Sequence, residues 1–366
     1  VVGWQDLMLS WLQTLPRATA EQYGERLQHL LHQLLPPLAD VARELNTEID
    51  TRSAANEDGM VGICMSLFGI LGCMLTAAAQ EHDTKLVQQQ QQQQQQRQAT
   101  KPHRPWLQCD RTAGTQRSQS TSSNMSLPPP LLALGRSDLT IHLDCLVLFA
   151  LTWSVGALCS AANLSRWSIQ LEELALAEDL SIARGVFTGP NSHGGIHCLA
   201  YSCDTADWSP WAAHALSLCN ANPENMHLTT YENIFVPTVE STRLEALLGM
   251  LLPANHHVAC VGPLASGKST MLPHVIKQLQ ARDLLPAAKS SFTTITLSTM
   301  SSVQSTQDAL GAALEKRQRG VFGPTLGSRR VIFLDDLGLS RADAAGVKPP
   351  LELLRQWFGQ GGWYCC

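Results

Sequence analysis

Positive charge is in short supply in this chain. Lys and Arg number 26 against 31 Asp and Glu, for a formal net charge of −5. That balance argues against a broad nucleic-acid-binding surface. The opening residues, VVGWQDLMLSWLQTLP, have neither the basic n-region of a secretory signal nor an initiator Met, so they predict a piece of a longer, non-secreted chain. The 11 cysteines are scattered along the sequence and are expected to be reduced, buried thiols of an intracellular protein. HGGIHCLAYSC brings His193, His197, Cys198 and Cys203 close together, but at a spacing that fits no common zinc module. No segment repeats another.

With 366 residues the chain is long enough for about two domains. Residues 1–58 read as amphipathic helices, with Leu27, Leu30, Leu31, Leu34 and Leu35 on one face. Pro36 and Pro37 are expected to kink or split that helix. Two apolar stretches, 59–79 and 145–164, are long enough to span a bilayer. Neither has clear flanking basic anchors, and burial inside a large helical region is the competing reading. Residues 81–130 hold the glutamine run Gln88 to Gln96 and Ser/Thr/Pro-rich sequence; such a composition cannot bury a core, and disorder is expected. LSRWSIQLEELALAEDLSIA reads as a charged helix, and 185–232 as irregular, with DWSPW a turn or edge. An α/β pattern starts near Ile234.

The motif that carries chemistry is GPLASGKST: Gly262, Pro263, Leu264, Ala265, Ser266, Gly267, Lys268, Ser269 and Thr270. It fits G-x-x-x-x-G-K-[ST], the Walker A pattern. Its glycines let backbone N–H groups turn inward around phosphate oxygens at a helix N-terminus. Lys268 is expected to reach the β- and γ-phosphates, and the Ser269 hydroxyl to ligate Mg²⁺. HHVACVG before it reads as a buried strand, and STMLPHVIKQLQAR after it as a helix with Pro273 near its start; strand, loop, helix is the confirming order. Downstream, RRVIFLDD has an apolar run, Val331 to Leu334, that reads as a strand buried on both faces. It ends in Asp335 and Asp336, where ligands collect in open α/β sheets. This is the Walker B position. Asp335 is the expected Mg²⁺ ligand and Asp336 the catalytic base that polarises the attacking water.

From about residue 234 onward the sequence resembles dynein heavy chains, at the third AAA+ module of the motor ring. The resemblance is carried by IFVPTVESTRLEALLGMLL, VGPLASGKST, TQDALGAALEKRQRGVFGPTLGSRRVIFLDDLGL and GVKPPLELLRQWFGQGGWY. Upstream, GWQDLMLSWLQTLP and FALTWSVGAL resemble helices of the second module's lid, and WSPW the approach to the third. The fold implied is α/β: a P-loop AAA+ module, a parallel sheet flanked by helices and C-terminally truncated, preceded by an α-helical lid region. The implied domains are a lid region over 1–80, a disordered insert over 81–138, the rest of the lid and a linker over 139–232, and the nucleotide-binding module over 233–366. Both apolar stretches then become lid core, so neither membrane nor nucleic acid is an expected partner.

The resemblance further implies ATP and Mg²⁺ as cofactors and Val236, Pro237 and Thr238 as the segment packed near the adenine. It implies neighbouring AAA+ modules, intermediate and light chains and microtubules as partners, in the cytoskeleton of a cilium or flagellum. The paired Asp335–Asp336, in place of Asp-Glu, looks axonemal. The departures are Gly338, Leu339 and Ser340 where the family usually has Asn and Met-Pro, Gln5 at a place where a basic residue is common, the glutamine run, and the WYCC end. Asp336 is one methylene shorter than Glu, so a module that binds nucleotide as a ring scaffold without hydrolysing it is the alternative. A transporter-type ATPase is disfavoured because no L-S-G-G-Q signature lies between Lys268 and Asp335. The sensor strand and a neighbour's arginine finger fall outside the sequence, so the chain alone is expected to turn ATP over slowly at best.

Overall fold

A computed structural model describes residues 4–45, 62–78, 136–178, 180, 194–203, 205–221, 235–263, 266–282, 290–318, 320–344 and 346–363. The glutamine run and the expected disordered insert as far as residue 135 lie outside the described residues, as does His193; residues 136–138, also expected in the insert, instead open a helix. The chain divides into two compact units, Val1–Ser217 and Leu218–Cys366.

The first unit is mainly helical. α1 (Trp4–Thr14) is followed by α2 (Arg17–Leu45), α3 (Gly62–Ala78), α4 (Arg136–Ser154) and α5 (Ala161–Ala177). The leucine face of α2 is fully buried at Leu27, Leu30, Leu31, Leu34, Leu35 and Leu38. α2 does not split at its prolines: it runs as one helix of 29 residues with Pro36 and Pro37 inside. The continuous apolar stripe on both sides of the prolines outweighs the ladder bonds they remove, since tertiary packing supplies most helix stability.

The apolar stretch Thr140–Leu158 is long enough to cross a membrane, but 78% of it is buried within the protein, so its apolar surface is covered by other parts of the chain. Trp167 of α5 is fully buried and donates its indole N–H to the Leu38 carbonyl of α2 at 3.4 Å. The region read as irregular contains a short antiparallel ladder. β1 (Leu199–Ser202) pairs with β2 (Asp207–Pro210), and α6 (Trp211–Ala221) follows. DWSP is therefore a strand, held by Tyr201 and Trp208, whose ring centroids are 5.0 Å apart across the pair.

The second unit is layered. α7 (Val239–Leu251) and α8 (Lys268–Ala281) lie on one side of a parallel pair, β3 (Ser290–Thr296) with β6 (Arg329–Asp335). α9 (Val303–Ala312) and α10 (Pro349–Gln360) lie on the other. Period-two alternation along β6 builds both layers. Val331 and Phe333 pack on Leu248, Leu272, Val275 and Leu279 of α7 and α8. Ile332 and Leu334 pack on Ile295, Leu310, Leu353 and Leu354. Between α9 and β6, β4 (Glu315–Gln318) and β5 (Val321–Gly323) form a small exposed hairpin.

Two expectations fail here. His256 to Gly262 forms no strand and is not buried; Val261 is 95% exposed. A strand needs a ladder partner, and β3 is the strand paired with β6 among the described residues. Pro273 lies in the interior of α8 rather than in its first turn. It thereby withholds the N–H that would otherwise reach the Ser269 carbonyl four residues back.

Candidate nucleotide-binding site

The loop before α8 is built by glycine. Gly267 is the N-cap of α8 with φ +80° and ψ +10°, left-handed backbone that a side chain disfavours. Its carbonyl accepts the Thr270 and Met271 N–H groups at 3.2 and 2.8 Å, which starts the helix at Lys268. The N–H groups of Lys268 and Ser269 fall in the first turn, where a helix has no i−4 carbonyl to offer. They belong to the positive end of the helix dipole. A Cβ at Gly262 would stand 3.4 Å from Ser266 Oγ and 3.9 Å from Lys268 Nζ, in ordinary contact with both.

Lys268 folds back over the loop. Its ammonium donates to the Gly262 carbonyl at 3.0 Å, the Pro263 carbonyl at 2.6 Å and Ser266 Oγ at 3.0 Å. Gly262, Pro263 and Ser266 thus converge on the Lys268 ammonium, while Ser269 and Thr270 stand exposed in the first turn of α8. Leu264 and Ala265 lie outside the described residues. Cys260, just upstream, is a neighbour that the motif does not announce. Burial pushes its thiol up, and the Lys268 charge partly opposes that.

The acidic end lies on the matching side. Asp335 follows Val331 and Phe333 in register, so alternation directs it to the α7–α8 face of the sheet. Its carbonyl accepts the Leu297 N–H at 3.0 Å, and its Oδ1 accepts the Asp336 N–H at 3.0 Å. Asp336 leaves the strand at φ +56°, ψ +40° and is exposed. It opens the 3₁₀ turn Leu337–Leu339, and Lys348 Nζ closes that turn on the Gly338 carbonyl at 2.6 Å. A left-handed non-glycine residue costs on the order of 1 kcal/mol, and Asp tolerates it better than most.

Val236, Pro237 and Thr238 form a strap leading into α7. Thr238 is the N-cap: its Oγ1 accepts the Ser241 N–H at 3.2 Å, and Ser241 Oγ accepts the Thr238 N–H at 2.8 Å. Phe235, at the other end of the strap, stacks on His274 of α8 with ring centroids 3.8 Å apart and 20° between planes. That contact was invisible in the sequence, where nothing links positions so far apart. α7 is fastened to α8 by their shared apolar cluster and by the Glu245–Arg282 ion pair at 2.8 Å.

Of the residues in the zinc reading, His197 has a partner in α5, while Cys198 and Cys203 stand as thiols outside any disulfide. His197 Nδ1 lies 2.8 Å from Ser168 Oγ, and the described residues hold no group of three or more His, Cys, Asp or Glu suited to a metal.

The loop has groups that could hold a phosphate chain. It offers a fixed ammonium, first-turn N–H donors and a left-handed glycine at the helix N-cap. Ser269 and Asp335 supply the hydroxyl and carboxylate that a hard divalent cation prefers.

Residues 224–366 match the family described as P-loop containing dynein motor region, and residues 120–213 match the dynein heavy chain AAA lid domain. Dynein axonemal heavy chain 1 of Mus musculus is 34% identical over 228 residues, covering 59% of this chain and 5% of that protein. Dynein axonemal heavy chain 12 of Rattus norvegicus is 28% identical over 228 residues, covering 61% of this chain and 7% of that protein. Dynein axonemal heavy chain 3 of Mus musculus is 21% identical over 374 residues, which takes in 99% of this chain and 8% of that protein. The sequence therefore spans under a tenth of the length of these relatives. With a lid-family match and a P-loop-family match in succession, and with the layered α/β unit that carries the cradle, the chain belongs to the axonemal dynein heavy chain family, as an AAA+ module of the motor ring with lid sequence before it.

Proposed function

We propose that residues 233–366 bind ATP with Mg²⁺, and that the chain contributes this site to a dynein ring that drives microtubule-based movement of a cilium or flagellum. In this reading residues 1–80 and 139–232 are lid and linker of the preceding module, and 81–138 is an insert within that lid. The observation that carries the proposal is the position of Lys268 Nζ, held by Gly262, Pro263 and Ser266 at the N-terminus of α8. There it meets the β- and γ-phosphates, with the backbone N–H groups of Gly267, Lys268 and Ser269 beside it. Ser269 and Asp335 hold Mg²⁺, which neutralises charge on the transferring phosphoryl group. Val236, Pro237 and Thr238 face the base. Neighbouring AAA+ modules, intermediate and light chains and, through the rest of the motor, microtubules are its partners.

A second reading keeps binding and drops hydrolysis. Asp336, the candidate base, is one methylene shorter than Glu and sits exposed in a left-handed turn, so its reach depends on the backbone following it. Both readings are tested with Lys268→Ala. Removing a charge-assisted contact weakens a fluorescent ATP analogue roughly 10- to 100-fold; equal affinity of the folded variant and the wild type refutes the binding site. Phosphate release by the wild type clearly faster than by Lys268→Ala rules out the scaffold reading.

A further inference from the structure

The strap before α7 is pinned at both ends. At one end Phe235 lies flat on His274, 3.8 Å between centroids. At the other, Thr238 is locked by its capping box with Ser241, which is itself buried. Between the pins Val236 stands 58% exposed, an apolar side chain held out by two fixed neighbours.

The position of the first pin along α8 matters. His274 lies six residues beyond Lys268 in α8, about 9 Å along the axis at 1.5 Å per residue. It also follows Thr270 by four residues and Gly267 by seven, so the three share one helix face. The stack therefore sits directly behind the phosphate cradle on the same face, less than two turns away. In the nucleotide-binding reading the residues set to face the base are Val236 and Pro237, which adjoin this stack.

His274 suits a stacking role. Burial and, after it, the nearby Lys277 charge lower its pKa, which favours the uncharged ring, and Gln278 Nε2 lies 3.4 Å from His274 Nε2. A neutral, flat, half-buried ring stacks on Phe235 without desolvating a charge.

We propose that His274 is a positioning residue for the nucleoside. Through Phe235 it holds Val236 and Pro237 as the wall on which the base packs, and so separates recognition of the base from recognition of the phosphates. The inference rests on the nucleotide-binding reading above.

The test compares two probes on the full chain: ATP, which has a base, and inorganic tripolyphosphate, which has none. In His274→Ala, ATP affinity is expected to fall about tenfold, the scale of one lost aromatic contact, while tripolyphosphate affinity stays at the wild-type value. In His274→Phe, which keeps a flat ring, ATP affinity is expected to stay within about twofold of wild type. If His274→Ala is poorly folded, Phe235→Leu serves in its place, with the same expected split between probes. Equal loss of both probes overturns the proposal, because it marks a general structural defect. Unchanged ATP affinity in both His274→Ala and Phe235→Leu overturns it as well. The parent reading fails separately: in that case Lys268→Ala binds both probes as the wild type does.

Discussion

A single buried residue in the first unit shows how charge is tolerated in an apolar setting. Asp144, almost fully buried in α4, receives two bonds from Arg26 of α2, Nε to Oδ1 at 3.2 Å and Nη2 to Oδ2 at 2.9 Å. Burial raises its carboxyl above the ordinary range, and the Arg26 hydrogen bond and charge oppose that rise. Arg26→Ala removes the opposition and leaves the desolvation. The expected loss in the unit's stability at pH 7.5 is about 2 kcal/mol, below the usual cost of orphaning a buried charge because Arg26 is one-third exposed. In the variant the folded carboxyl titrates still higher than in the unfolded chain. The folded state then binds the proton more tightly, so stability is retained at low pH and lost as pH rises through the raised value. The destabilisation relative to wild type is therefore smaller at pH 5 than at pH 7.5. Hydrogen exchange of α2 and α4 at the two pH values measures it, and a larger gap at pH 5 contradicts the account.

At the level of elements, two helices start with the same device in different settings. α7 begins at Thr238 with Ser241 returning the bond, and α9 begins at Ser302 with Ser305 doing the same. Ser241 is buried at 3% exposure, whereas Ser302 and Ser305 form their bonds at the surface. Water replaces a lost partner at the second cap and not at the first. Thr238→Ala is expected to cost about 1–2 kcal/mol and Ser302→Ala about 0.5–1 kcal/mol, read as urea midpoints; the reverse order breaks the argument. What the sequence reveals follows the same division between local and distant causes. The glycine spacing of the loop, the leucine face of α2 and the acids ending β6 are local patterns, and each is readable. The passage of α2 through Pro36 and Pro37 is not, because buried leucines on both sides decide it. Nor is the missing strand at His256 to Gly262, since pairing depends on a partner elsewhere. The Phe235–His274 stack joins residues with no sequence relation, so what supports the strap before α7 was the least legible.

Across the whole chain the two units differ in how much apolar surface they bury. The first has a run of fully buried leucines and a fully buried Trp167. The second rests on two clusters of four buried residues each, over a two-stranded parallel sheet. It also leaves Val261, Met300 and Leu326 at 95, 89 and 84% exposure. Apolar burial is the main favourable term in folding, so the P-loop unit opens more readily and has more to gain from a ligand that binds its folded form. At ATP 100-fold above its dissociation constant, linkage stabilises that form by about 2.7 kcal/mol, close to a 100-fold slowing of exchange for amides that exchange through opening of the unit. The slowing is expected in α7, α8 and β6, whose side chains share one cluster beneath the cradle. It is expected to vanish in Lys268→Ala at the same ATP concentration. Hydrogen exchange with and without Mg·ATP reads this directly. If amides of α8 and β6 exchange at one rate in both conditions, while the fluorescent analogue still binds, then binding is not linked to the folding of this unit and the ledger between core size and ligand is wrong.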